Sequence, residues 1–401
     1  MRWCGLSHPG FARRIPPRPC PPRRTALRSR CGTSICRQAI DVMGPGETMT
    51  STNDTRVASY KPLIAPQDLL AELPMSEEST ALVESSRAEV KRVLDGADDR
   101  LLVVVGPCSV HDTESALDYA RRLRDLVPSV SDELCVVMRV YFEKPRTTVG
   151  WKGLINDPGL DDTYDVHRGL RTARELLIDI NALGLPAGTE FLDPITPQYI
   201  ADVVSWGAIG ARTTESQVHR QLSSGLSTPV GFKNGTDGDV QVAVDAVGAA
   251  AASHTFFGVD PAGAGSVVVT EGNPDCHVIL RGGRSGPNHD AASVASALDV
   301  IEGSKLPRRL MIDASHANSG KDHVRQAGVA REIAAQVAEG QKGIVGVMLE
   351  SFIVEGAQKL GDPDQLTYGQ SITDKCMSWE TTEGVLENLA EAVRQRRKNA
   401  A

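Results

Sequence analysis

From Leu101 onward, short apolar runs of β character alternate with amphipathic stretches. The runs are Leu101–Val105, Leu134–Val140, Gly188–Leu192, Ala208–Ala211, Pro229–Phe232, His277–Leu280, Arg309–Asp313 and Gly346–Glu350. Helical spacing of apolar residues fills most gaps, as in Glu114–Leu126 and Gly169–Leu183. Strands and helices in alternation predict parallel βαβ units, and eight of them favour a closed (β/α)₈ TIM barrel over an open sheet. One β-type pair stands outside the count. Thr255–Val259 and Ser266–Thr270 flank Pro261, Gly263 and Gly265, which predicts a hairpin inserted at about 254–271. Residues 51–100 read as an N-terminal arm with a helix around Ser79–Leu94, and 101–401 as the barrel.

The chain has 401 residues, 41% hydrophobic and 23% charged, as suits a globular protein with a sizeable core. No apolar run is long enough to cross a bilayer as a helix. The net charge of −8 argues against a general nucleic-acid binder. That charge is unevenly spread. Residues 1–48 hold nine Arg, no Lys and only Asp41 and Glu47 as acids, a net +7, so the remainder carries −15. This leader is Pro-rich, with Cys4, Cys20, Cys31 and Cys36 at spacings that match no zinc pattern. A transit peptide is Arg-rich too, but these prolines would break its amphipathic helix. The segment is expected to be a disordered or wrongly assigned leader, with Met43 or Met49 as the true start. The body's Cys108, Cys135, Cys276 and Cys376 follow no disulfide spacing and imply free thiols in a reducing, cytoplasmic setting.

Candidate chemistry clusters at the C-terminal ends of the strands, where barrels carry their active sites. Arg139, Lys144, Arg146, Arg212, Lys233 and Arg281 each lie at or just past a strand end. Six cations converging on one mouth of an acidic body imply a small, strongly anionic ligand; taken singly, each would read as a surface ion pair. A second set is Cys108, His316, Glu350 and Asp374, all able to bind a borderline divalent ion. On spacing alone it is a weak signal, because a lone Cys is usually a small core residue. Cys108 could also be a nucleophile paired with His111. No GxGxxG follows a strand, Gly282–Gly286 lacks the Walker lysine, and no GxSxG elbow appears.

The strings at these positions carry a resemblance. Gly106-Pro107-Cys108-Ser109, Met138 to Thr148 (MRVYFEKPRTT), Gly210 to Gln217 (GARTTESQ), Gly231-Phe232-Lys233-Asn234-Gly235, Leu280-Arg281-Gly282-Gly283, Asp313 to Asn318 (DASHAN) and Ser371-Ile372-Thr373-Asp374 are similar to the motifs of type I 3-deoxy-D-arabino-heptulosonate-7-phosphate (DAHP) synthases. The resemblance runs from about Asp54 to the C-terminus. It implies condensation of phosphoenolpyruvate with erythrose 4-phosphate, at the head of the shikimate pathway to chorismate. Arg139, Lys144, Arg212, Lys233 and Arg281 would hold phosphoenolpyruvate, and Arg146 and Thr147 the aldose phosphate. Cys108, His316, Glu350 and Asp374 would bind a divalent Mn, Fe, Co or Zn ion, and Lys144 would serve as proton donor. The resemblance also implies a homodimer or homotetramer, inhibited by Phe, Tyr or Trp at a site lined by Asp54, Pro197, Gln198, Ser227, Phe256 and Val268.

Ser227 resembles phenylalanine-sensitive members, whereas the hairpin turn Asp260–Gly265 departs from the bulkier, Lys-Trp-containing family sequence. The alternatives are a related synthase that uses arabinose 5-phosphate and an inactive amino-acid-sensing paralogue. The former carries a Lys-Ala-Asn-Arg-Ser type stretch in place of Lys144–Thr148. The latter is disfavoured by the full set of cations and ligands.

Overall fold

The computed structural model describes residues 52–145 and 150–400. The chain divides into two compact units, up to Lys61 and from Pro62 onward. In the first, residues 52–61 form turns and extended chain without helix or strand. The second contains twelve strands among its described residues: β1 (Leu101–Gly106), β2 (Leu134–Arg139), β3 (Ala187–Glu190), β4 (Trp206–Ile209), β5 (Val230–Lys233), β6 (Thr255–Val259), β7 (Gly265–Val269), β8 (His277–Leu280), β9 (Leu310–Asp313), β10 (Ile344–Glu350), β11 (Val354–Ala357) and β12 (Gln370–Ser371). Its helices are α1 (Pro66–Glu72), α2 (Glu77–Leu94), α3 (Thr113–Leu126), α4 (Val166–Ala182), α5 (Pro197–Ile200), α6 (Gln217–Ser224), α7 (Gln241–Ala250), α8 (Ala291–Gly303), α9 (His323–Ala338) and α10 (Trp379–Ala400).

Eight parallel strands close into a barrel in the order β1-β10-β9-β8-β5-β4-β3-β2. The expected (β/α)₈ architecture is therefore what the chain adopts. The strands are almost wholly buried, which is why β1, β2, β8 and β9 read as largely apolar runs. Alternate residues face the interior. Leu102, Val104, Val137, Trp206, Ala208, Ile279, Met311 and Met348 form one cluster, joined by Val90, Val93 and Leu94 of α2. α2 thus plugs the end of the barrel where the strands begin. Ser76 caps it, accepting from Ser79 N at 3.1 Å, and Lys91 and Arg92 lie in its last turn.

β4 starts at Trp206, two residues before the apolar run suggests. Gly207 hides the strand from pattern reading, and it is Gly because a Cβ there would meet the Phe191 ring at 2.8 Å. β6 and β7 form the expected antiparallel hairpin outside the barrel, with Phe256 opposite Val268 on its half-buried face. Its turn rests on α1, where Gln67 N donates to Pro261 O at 2.9 Å. The parallel β11–β12 pair, absent from the sequence reading, folds the segment after β10 back over the barrel mouth.

Candidate active site

Cys108 lies two residues beyond β1, fully buried. The chain there runs so close to β2 that a Cβ on Gly106 would sit 2.4 Å from Arg139 O. Glu350 is the last residue of β10, and Asp374 follows β12. The ligand atoms of Cys108, Glu350 and Asp374 all lie within 4.8 Å of one another. His316 stands beside this trio. Its Nδ1 is held by Asp313 Oδ2 at 2.8 Å and Ser315 Oγ at 2.7 Å, leaving Nε2 to face Glu350 Oε1 at 3.8 Å. The residue has φ +52, a left-handed backbone unusual for a non-glycine and characteristic of functional sites. A carboxylate that orients one histidine nitrogen while the other faces further ligands is the arrangement of metal-bound imidazoles. Thiolate, imidazole and two carboxylates fit a divalent ion of the zinc, iron or manganese type.

Burial, then the Glu350 carboxylate, push the Cys108 thiol up, even though Lys144 Nζ lies 2.7 Å from Sγ. A cation entering the site would draw off that proton. Glu350 shows the opposite balance. Burial alone would raise it, but His316, Arg139 and Lys144 hold it below the usual carboxylate range. His111 does not pair with the thiol. Its ring packs edge-on against Phe352 at 6.3 Å, and Nδ1 has no hydrogen-bond partner among the described residues.

Above this cluster opens a cavity of about 270 Å³. Arg139, Lys144, Arg212, Lys233 and Arg281 line it, so five of the six expected cations converge. Arg146 and Thr147 lie outside the described residues. Arg139 is fully buried at the floor; it pairs with Glu350 Oε1 at 3.1 Å, donates to Pro107 O, and stacks 3.7 Å from the Tyr141 ring centroid. Lys233 Nζ is 2.8 Å from Asp313 Oδ2. Burial would raise Asp313, yet Lys233 and His316 hold its carboxyl well below the usual range. Asp313 therefore braces a cavity lysine and the metal-side histidine at once.

Three lining residues escaped the sequence reading. Lys321 adds a sixth cation, 3.3 Å from Asp374 Oδ1. Thr236 lies just past β5. Glu190 ends β3, and its Oε1 is buried without a hydrogen-bond partner among the described residues. Glu190 was visible in the EFLD string at a strand end; Lys321 carried no such signal. With Glu190 and Asp374 the only acids on its wall among the described residues, the cavity favours a ligand of several negative charges.

The expected effector residues of the second unit lie elsewhere. Phe256 and Val268 face one another on the hairpin, Pro197 and Gln198 open α5, and Ser227 is exposed before β5. Asp54 belongs to the other unit, with φ +57.

Comparison with known proteins converges on one family. The DAHP synthetase I family profile matches residues 73–387. A phospho-2-dehydro-3-deoxyheptonate aldolase of Corynebacterium glutamicum is 58% identical, over 88% of this chain and 98% of its own. The Phe-sensitive enzyme of that name from Escherichia coli K12 is 54% identical (86% and 98%), and the tyrosine-inhibited one from Schizosaccharomyces pombe 51% (88% and 97%). The solved structure of the Francisella tularensis SCHU S4 enzyme of the same name superposes with a TM-score of 0.83, at 50% identity, covering 85% of this chain and 99% of that one. A closed barrel with a thiol–carboxylate cluster under a cationic mouth, matched along nearly the whole length of these relatives, places the chain in the DAHP synthetase I family.

Proposed function

We propose that this protein is a 3-deoxy-7-phosphoheptulonate synthase. It condenses phosphoenolpyruvate with D-erythrose 4-phosphate and water, giving DAHP and phosphate, the first step of the shikimate pathway. The observation that carries this reading is the convergence of six cations over a Cys–Glu–Asp cluster at one barrel mouth.

Arg139, Lys144, Arg212, Lys233 and Arg281 hold the carboxylate and phosphate of phosphoenolpyruvate, Arg forks giving bidentate contacts and Lys compact charge. Arg146 and Thr147 take the phosphate of the aldose. Fixing both substrates by their anionic ends aligns C3 of phosphoenolpyruvate with the aldehyde carbon. Cys108, His316, Glu350 and Asp374 would hold the divalent ion, Mn, Fe, Co or Zn, which supplies Lewis-acid polarisation of the aldehyde oxygen when bound. C3 attacks the aldehyde, and Lys144, beside Cys108 and Asp374, gives a proton to the oxygen that becomes hydroxyl. Water adds at C2, and phosphate leaves by cleavage of its bond to C2. Glu190, whose buried oxygen on the cavity wall has no hydrogen-bond partner among the described residues, would take the proton of that water.

Relatives described as Phe-sensitive, tyrosine-inhibited and Trp-sensitive support feedback inhibition by an aromatic amino acid. Asp54, Pro197, Gln198, Ser227, Phe256 and Val268 are its proposed contacts, in a cytoplasmic homodimer or homotetramer. No helix among the described residues is long and apolar enough to cross a membrane.

The test is a steady-state assay of DAHP formation after chelation and metal add-back, with erythrose 4-phosphate and arabinose 5-phosphate in parallel and each aromatic amino acid as inhibitor. DAHP formed only with metal supports the reading. Preference for the five-carbon sugar, or full turnover in chelated protein, would refute it.

A further inference from the structure

Three asparagines from three different loops meet behind Arg281. Asn234 follows β5, Asn288 lies in the loop after β8, and Asn318 follows β9. Their amides form one continuous chain. Arg281 N donates to Asn234 Oδ1 at 2.7 Å, and the next amide, Gly282 N, donates to Asn288 Oδ1 at 2.7 Å. Asn234 Nδ2 returns a bond to Gly282 O at 3.0 Å, and Asn288 Nδ2 reaches Asn234 Oδ1 at 3.3 Å. Asn288 N donates to Asn318 Oδ1 at 2.8 Å, and Asn318 Nδ2 donates to Asp313 O at 2.8 Å.

These bonds seize the backbone on both sides of one cavity cation. Gly282 has φ +70, and a Cβ there would lie 2.8 Å from Asn318 N and from the Ala317 side chain. The backbone at Arg281 is thus in a conformation that only glycine permits next door, and the asparagine side chains hold it there. The guanidinium that emerges lines the cavity. Asn234 and Asn318 are buried. Asn288 is half-buried, sits outside every strand and helix, and supplies the bridge between the other two.

We infer that Asn288 is a positioning residue for phosphoenolpyruvate binding, acting through Arg281. Among the described residues it belongs neither to the cavity lining nor to the Cys–Glu–Asp cluster. By fixing the Gly282 amide it sets where the Arg281 side chain leaves the backbone. Through Asn318 and Asp313 it ties that point to the loop bearing His316. The inference rests on reading this cavity as the phosphoenolpyruvate site.

The experiment is a double-mutant cycle on the full-length, metal-loaded enzyme, with Asn288→Ala, Arg281→Ala and both together. Direct phosphoenolpyruvate binding by calorimetry, the KM for each substrate and the melting temperature are measured. Asn288→Ala is expected to weaken phosphoenolpyruvate binding about tenfold, the order of effect of losing one well-made hydrogen bond and its alignment. The KM for erythrose 4-phosphate and the melting temperature should hardly move. In the Arg281→Ala background the same change should do almost nothing, because the group it positions is gone. Asn288→Ser, too short to reach Gly282, should repeat the result if the alanine variant folds poorly. Full additivity of the two losses, or a melting drop with phosphoenolpyruvate affinity intact, would overturn the inference. Undiminished phosphoenolpyruvate binding by Arg281→Ala itself would instead overturn the reading of the cavity.

Discussion

At the scale of single residues, Cys108, Glu143 and Glu190 each carry a separable test. Cys108→Ala removes one of the four proposed donors, and turnover with saturating metal is expected to fall a hundredfold or more, beyond what loss of a residue that only orients a ligand costs. Cys276→Ala, far from the mouth, should leave turnover intact. Glu190→Gln keeps shape and loses the proposed proton acceptor; kcat is expected to drop by about two orders of magnitude, with the KM for phosphoenolpyruvate little changed.

Glu143 gives a test on stability. Burial, then Asp193, raise its carboxyl to about 8, while Leu192 N and Asp193 N donate to it at 3.4 and 3.2 Å. The folded state therefore keeps a proton that the unfolded chain releases near the ordinary value of about 4.5. Its contribution to stability is full below that ordinary value and is lost as pH rises through 8. Glu143→Gln cannot lose that proton. Thermal unfolding should give equal melting temperatures for parent and variant at pH 4, and a variant more stable by a few kcal/mol at pH 9.

At the scale of elements, α2 gives a test of packing away from the site. Its Val90, Val93 and Leu94 fill the barrel end opposite the mouth. Leu94→Ala is expected to cost about 2–5 kcal/mol in denaturant unfolding while leaving both KM values unchanged. A change in KM without a change in stability would show that the two ends of the barrel are coupled.

The elements also show what the chain reveals in advance. Most strands of the barrel were legible because they are short apolar runs closed by a polar signature, and because strand ends converge in a barrel. That geometry is why Arg139, Lys233, Arg281 and Glu350 could be nominated from position alone. Residues on returning segments follow no such rule. Lys321 reaches the cavity from a left-handed position, φ +61, in the loop after β9. β12 holds only two residues, too short for periodicity to register, and β11 reads Val-Glu-Gly-Ala, with one large apolar side chain among four. Asn288 carries no signal in the sequence, since the role inferred for it exists only once three loops are brought together.

At the scale of the whole molecule, the body of the chain is acidic while its cavity is cationic. Attraction of an anionic substrate to that mouth is screened by salt. The KM for phosphoenolpyruvate is therefore expected to rise several-fold between 0.05 and 0.5 M KCl, roughly the span over which the Debye length shrinks from above 10 Å to below 5 Å. The kcat at saturating substrate should stay nearly constant across that range.

The amide ladder has one consequence for the ageing of the protein. Asn234 is followed by Gly235, the pairing in which an exposed, flexible asparagine most readily cyclises to a succinimide and deamidates. Here Asn234 is wholly buried, its Nδ2 held by Gly235 O and Gly282 O, its Oδ1 taken by Arg281 N. The side chain cannot swing onto the following nitrogen while the fold stands. The shelf life of the site is thus set by how often this region opens, and a stored sample should acquire aspartate at 234 only as fast as it unfolds there.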